Sequence, residues 1–201
     1  MGLTLENLQK QINELKKDVT ELRKEKTASI RKNLEIGDTF DLIGLKWKIL
    51  DKTDVGYACL AEILEDEKQF DKNSSDWKKS SLREYLNGEF LRKLSDAVGE
   101  ENIISFERNL FSIDGQTEYG SCEDKVSLLT VDEYRKYRSM IPNTNDGWWW
   151  LITPWSTPCN DYERSVTVVS PSGNFGINIC DFYHGVRPFC IFSSSIFESE
   201  D

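Results

Sequence analysis

Trp148-Trp-Trp-Leu-Ile-Thr-Pro-Trp155 is the stretch whose reading decides the fold. Consecutive indoles followed by Leu and Ile favour an extended, half-buried strand. On such a strand Trp149 faces opposite to Trp148 and Trp150, because side chains alternate with period two. At least one of these faces is core, since aromatic side chains bury most of the apolar area in a domain of this size. The other face is free to stack on a sugar, a base or a peptide side chain. Trp155 follows Pro154 in a loop, where packing explains an aromatic less readily, so it is a candidate contact residue.

Outward from this strand, turn residues separate three more extended segments: Ser165–Ser170, Phe175–Ile179 and Val186–Phe192. Toward the N-terminus, residues 40–50 read as a strand pair and residues 55–61 as the next strand. Between these groups lie helical patterns. Ser80 is a candidate N-cap for a helix over 80–87, and a second helix over 89–98 ends at Gly99. Residues 126–129 read as a buried strand entering a helix at Thr130, with Glu133 in capping-box register. Helices in the middle and short strands at both ends make an α+β domain.

The first 36 residues are different. Leu5, Leu8, Ile12, Leu15, Val19 and Leu22 recur at alternating spacings of three and four, placing Leu5, Ile12 and Val19 at a and the three leucines Leu8, Leu15 and Leu22 at d. The apolar stripe is too narrow for an ordinary core helix. It predicts a coiled-coil oligomerisation helix over residues 1–33, followed by one globular domain over 37–197. β-Branched residues at two a positions and Leu at each d favour a parallel dimer over a trimer. The flanking charges agree, with Asp18 at g facing Arg23 at e of the partner helix. The acidic end, Glu198 to Asp201, reads as a frayed tail.

Charge narrows the function classes. Residues 1–36 carry eight Lys/Arg and six Asp/Glu, leaving 17 and 29 for the rest, so the globular part is near -12 of the chain's total of -10. Such a surface repels phosphate backbones and argues against nucleic-acid binding. The chain has no signal-peptide pattern and no apolar run of membrane-spanning length. A cytoplasmic location is expected. Five cysteines, Cys59, Cys122, Cys159, Cys180 and Cys190, form no Cys-x-x-Cys pair and read as reduced, mostly buried thiols. Gly44, Gly56 and Gly99 are isolated, so no phosphate-cradling loop is present, and clusters such as Glu62 to Glu67 read as solvated faces. No metal or cofactor is expected. His184 is the only histidine, and neither a nucleophile elbow nor a papain-like cysteine context accompanies it, so the expectation is a non-enzymatic protein.

Four segments come in a familiar order: Trp77 with Ser81-Leu-Arg-Glu-Tyr-Leu-Asn87, Asp124-Lys-Val-Ser-Leu-Leu-Thr-Val-Asp-Glu-Tyr134, Trp149-Trp-Leu-Ile-Thr-Pro154, and Gly173 with Gly185-Val-Arg-Pro188. Together they resemble a family of uncharacterised domains common in Firmicutes and their phages, over about residues 37 to 192. The last two motifs are also similar to those of the C-type-lectin-like fold, as used in formylglycine-generating-enzyme relatives and in retroelement-diversified binding proteins. That resemblance implies a mixed domain in which N- and C-terminal strands pair, with ligand contacts just before the closing Val-Arg-Pro strand. The family's Trp-Trp-Leu-Arg-Ser-Pro strand has Ile152 in place of Arg, which puts a salt bridge or anion contact in doubt. The calcium-binding triplets of sugar-binding lectins are absent, and the C-terminal cysteine pair of formylglycine-generating enzymes does not carry over to Cys180 and Cys190. Arg187, in Gly-Val-Arg-Pro, is expected to be structural with a buried carboxylate partner, and Arg83 likewise.

The functional expectation is an oligomeric, non-enzymatic binding module that presents a loop surface to a protein or small-molecule ligand. Trp155, Asn160, Tyr162, Asn178, Asp181, Tyr183 and His184 are the candidate ligand contacts, expected to cluster and to be partly exposed. Two alternatives stand beside it. One is a phage or mobile-element inhibitor of a host defence enzyme, whose acidic surface would cover a nucleic-acid-binding groove. The other is an enzyme of unknown type.

Overall fold

A computed structural model describes residues 5–27, 34–145 and 147–197. The expected coiled-coil segment is one helix, α1 (Leu5–Thr27), and its remaining residues, 1–4 and 28–33, lie outside the described residues, as does the acidic tail from 198 to 201. All six seam residues are exposed, from 43% at Leu8, Ile12 and Val19 to 87% at Leu5. No described helix is long and apolar enough to cross a membrane.

The remainder is a mixed α+β fold with few helices and short antiparallel strands in open sheets. Its strands are β1 (Thr39–Leu42), β2 (Leu45–Thr53), β3 (Gly56–Ala61), β4 (Lys68–Gln69), β5 (Ile103–Ile104), β6 (Phe106–Asn109), β7 (Ser121–Asp124), β8 (Val126–Ser127), β9 (Trp149–Pro154), β10 (Ser165–Val169), β11 (Phe175–Ile179), β12 (Tyr183–His184) and β13 (Phe189–Phe192). The helices are α2 (Ser81–Tyr85), α3 (Leu91–Val98) and α4 (Val131–Tyr137). The largest sheet runs β1-β2-β3-β13-β5, and β8 also pairs with β13. β1 and β2 close through Ile43 and Gly44, whose φ angles of 52° and 79° match a two-residue primed hairpin turn. The C-terminal strand β13 thus lies against β3 from the start of the domain, with Cys190 opposite Cys59.

The second sheet, β9-β10-β11, divides two cores. Trp150 and Ile152 enter the first with Trp47, Phe70 and Trp77, whereas Trp149 and Leu151 enter the second with Leu60, Tyr134 and Phe189. Period-two alternation alone produces this split. Phe70 packs edge-on against Trp150 at 5.8 Å and tilts on Trp77 at 5.5 Å. Trp149 meets Tyr134 of α4 edge-on at 5.6 Å.

Two helical expectations change form. Ser80 does cap α2, accepting from the Arg83 amide, but the two predicted helices are one, because a π-helical turn over Leu86–Phe90 joins α2 to α3. That wide turn leaves Leu86 and Phe90 both buried and aims Asn87 at β8, where its side chain accepts from the Lys125 and Val126 amides and donates to the Val126 carbonyl. Gly99, at φ 89°, ends α3 as expected. The predicted strand over 126–129 shrinks to β8, and the capping box of Thr130 and Glu133 opens α4 with both reciprocal bonds.

The two arginines differ. Arg83 binds Asp124 at 2.7 Å, and the same buried carboxylate accepts from Trp77 Nε1 at 2.6 Å. Arg187 departs from expectation, since no carboxylate among the described residues pairs with it. Its Nε donates to the Ala61 carbonyl at 2.9 Å and its guanidinium lies 5.2 Å from the Trp149 ring. Burial pulls its pKa down to about 10. Ile152 is fully buried, so the position where the family pattern has Arg holds a core side chain here.

Candidate ligand-binding surface

After β11 the chain turns back through Asp181 and Phe182, forms β12 against β4, and passes Gly185 beside β9. Gly185 must be glycine for this crossing: a Cβ would stand 2.8 Å from Ile63 Cγ2 and 3.2 Å from the Trp148 carbonyl oxygen. The Gly185 amide donates to that carbonyl, and Trp150 donates back to the Gly185 carbonyl. This strap fixes His184 over Trp150, with ring centroids 4.6 Å apart and planes at 69°. Asn178, on the inward face of β11, meets His184 Nε2 at 2.8 Å. Asn178 Oδ1 accepts from the Ile179 amide, which orients the side chain.

Exposed aromatics surround this pair. Trp148 is 42% exposed and packs over Gly176, where its ring comes within 3.5 Å of an added Cβ. Phe182 and Tyr183 are 52% and 61% exposed. His184 itself is buried, which corrects the expectation that it would be partly exposed. Burial pulls its pKa below the ordinary histidine value, with nearby Glu67 opposing, so the neutral ring is favoured. A neutral His between Trp150 and Asn178 provides shape and one ring nitrogen.

The other predicted contacts divide. Asp181 pairs with Arg164 at 2.5 Å, and Gln69 donates to its carbonyl. Tyr162 is half exposed at the start of the turn into β10. Asn160 instead joins a separate polar cluster, donating to Asp114 at 2.8 Å beside Ser156, which donates at 2.6 Å. Ser112 also donates to Asp114, and these hydroxyl and amide bonds, Ser112 first and then Ser156, pull its carboxyl down to about 2. Trp155 is partly buried, and its amide donates to Ser165. Among the described residues, no hydrogen bond or ring contact joins Trp155 or Asn160 to Asn178, Tyr183 or His184. Trp155 and Asn160 therefore stand apart from Asn178 and His184, although both groups lie near the first residues of β10, where Trp155 bonds Ser165 and Asn178 faces Val166. Trp148 and Phe182 are the members that sequence reasoning missed. The first of three tryptophans at a strand start, and a Phe flanked by Asp181 and Tyr183 in a turn, were the available signals.

Among the described residues no group of three His, Cys, Asp or Glu side chains is placed to hold a metal ion. Cys59, Cys180 and Cys190 are buried as expected, whereas Cys159 is exposed. No curated protein and no solved structure matches the chain. Residues 56–194, which include most of both cores, the strap and the aromatic rim, match a family described as a domain of unknown function (DUF6273), and the chain belongs to that family.

Proposed function

We propose that this protein is a coiled-coil-assembled, non-catalytic binding module of C-type-lectin-like type, whose contact surface is the aromatic rim around Asn178 and His184. The carrying observation is the exposure of Trp148, Phe182 and Tyr183 around a rigid, hydrogen-bonded floor. Flat aromatics lose little rotamer entropy when a partner immobilises them, and fixed polar groups between them orient a ligand. The pairing of β13 with β3 supports the lectin-like part of the reading, because that resemblance implies joined chain ends. The exposed seam of α1 supports assembly, and several copies of a weak site bind with avidity.

Glycan and peptide arrays probed with the full chain test this reading. Array binding that disappears in the Trp148→Ala/Tyr183→Ala double variant, with an unchanged melting temperature, supports it. Array binding that the double variant retains places the contact surface elsewhere and overturns it. The net charge near -12 favours a second reading, in which the domain covers the basic groove of a host defence nuclease. Loss of that nuclease's activity on adding the protein, reversed by raised salt, would favour inhibition over ligand recognition.

A further inference from the structure

Glu67 is the last residue before β4, which lies against β12 with Lys68 opposite His184. Continuing that register sets Glu67 opposite Gly185, whose amide donates to the Trp148 carbonyl. The carboxylate turns to the same place: its Oε1 would lie 3.5 Å from a Cβ on Gly147, the neighbour of Trp148. Glu67 is exposed, and among the described residues no lysine, arginine, amide or hydroxyl bonds it. Lys68, next in the chain, is drawn elsewhere, with its Nζ 4.2 Å from the Tyr85 ring centroid. Arg164, at the other end of the strap, is committed to Asp181. One carboxylate thus stands without a counter-charge beside Trp148.

Next to it is an aromatic face. Gly176 and Asn178 share the inward side of β11, and Trp148 packs over the first while His184 bonds the second. The two rings therefore stand over positions roughly 7 Å apart, the spacing of residues i and i+2 on a strand. Gly176 covers one side of the indole, and 42% of the Trp148 surface stays open. His184 adds no positive charge. Asn178 Oδ1 accepts from the Ile179 amide, so Asn178 Nδ2 faces His184 and donates to Nε2, and a ring that accepts there is neutral.

We infer, on the reading of the aromatic rim as the contact surface, that this corner takes the guanidinium of an arginine from a basic peptide segment of a partner protein, stacked on Trp148 and paired with Glu67. A planar guanidinium suits both halves of the site. It stacks on an aromatic face and meets a carboxylate through a fixed fork of donors, whereas a lysine ammonium is a compact point charge that does not stack. A neutral or anionic ligand would leave Glu67 without a counter-charge. The wider field agrees, since a globular part near -12 draws a basic segment toward it.

The probe is Nα-acetyl-arginine methylamide, titrated into the isotopically labelled full chain and read by the NMR shifts of the Trp148 indole N–H and the Gly185 amide. The matching citrulline compound has the same shape without the charge. The arginine probe is expected to bind at least roughly fivefold more tightly than the citrulline one, and Glu67→Gln to weaken it by a similar factor. Glu101→Gln, which removes an exposed carboxylate from the turn between α3 and β5, should change it by less than about twofold, because charges outside the site are screened. Trp148→Ala should abolish the arginine-dependent shift of Gly185, and survival of that shift removes the stack and overturns the inference. Citrulline binding as tightly as arginine, or Glu67→Gln doing no more than Glu101→Gln, overturns the arginine inference but leaves the rim a contact surface, since the probes still report at Trp148. Absence of any shift at Trp148 or Gly185 up to about 20 mM arginine probe, a very weak affinity even for a single contact, also overturns it. The rim reading is then decided separately by the arrays with the Trp148→Ala/Tyr183→Ala variant.

Discussion

β9 and β11 lie in the same sheet and both alternate with period two, yet they end in different surroundings. Trp149, Trp150, Leu151 and Ile152 of β9 are all within 1% of full burial, whereas Phe175, Ile177 and Ile179 of β11 keep about two fifths of their surface. The difference is position. β9 carries a core on each face and is flanked on its second edge by Gly185 and Leu129, while β11 has β10 on one edge and no strand on the other. Hydrophobicity along a strand therefore reports capacity to be buried, and topology decides whether that capacity is used. Where it is unused on an edge, apolar surface stays open to solvent.

The largest expected effect lies in β9. Ile152→Arg inserts a charge at a fully buried position in the first core, among apolar side chains that include Trp150 and Val166. A loss of more than about 4 kcal/mol, or failure to fold, is expected in urea unfolding. A near-neutral result would show that the arginine of the family pattern finds a partner here. Trp150→Ala follows: it removes the contact with Phe70, the bond to the Lys68 carbonyl and the floor beneath His184, and should cost about 3–5 kcal/mol. If Trp150→Ala cost no more than Trp148→Ala, the contrast between the interior and the edge of this sheet would fail.

Much of this organisation was legible in sequence because it rests on local rules. Three tryptophans on a strand had to divide between faces, Ser80 and Thr130 had to cap, and Phe175–Ile179 was bounded by its turn residues. What was not legible depends on long-range neighbours. Leu86–Phe90 gives no signal for a π-turn, since what holds it is Asn87 reaching β8 some forty residues on. His184 looked like a loop residue, but the strap through Gly185 places it over Trp150. Asn160 lies close to Trp155 in the chain and was grouped with His184, yet it turns to Asp114, a residue in a loop that sequence reading left unassigned. Arg187 was expected to find an acid and instead found a carbonyl and an indole.

A smaller effect comes from His184, whose folded pKa lies below the ordinary value. Between that lowered pKa and about 6.5 the unfolded chain binds the proton more readily, so stability is full above pH 6.5 and falls as pH drops through the window. With a single histidine in the chain, no other side chain has its ordinary pKa there. Thermal melts from pH 7.5 to 5 should show this decline, and His184→Gln should flatten it. Asp114 acts lower: its carboxyl is held at about 2, so its contribution persists above pH 4 and is lost as pH falls through about 2. A decline between pH 7 and 5 that survives His184→Gln would place the sensitive group elsewhere.

The smallest effect on the fold is expected at the edge. Ile177→Thr keeps a β-branched side chain suited to a strand, faces Thr167 across the ladder, and removes apolar surface that is already 42% exposed. In dilute solution the change in unfolding free energy should stay within about 0.5 kcal/mol, as for surface substitutions generally. Val168→Thr, one residue along on β10 and 1% exposed, buries a hydroxyl and should cost about 1–3 kcal/mol. An Ile177→Thr effect larger than about 1.5 kcal/mol would mean that the β11 edge is covered within a single copy, and β11 would then belong with β9 as interior.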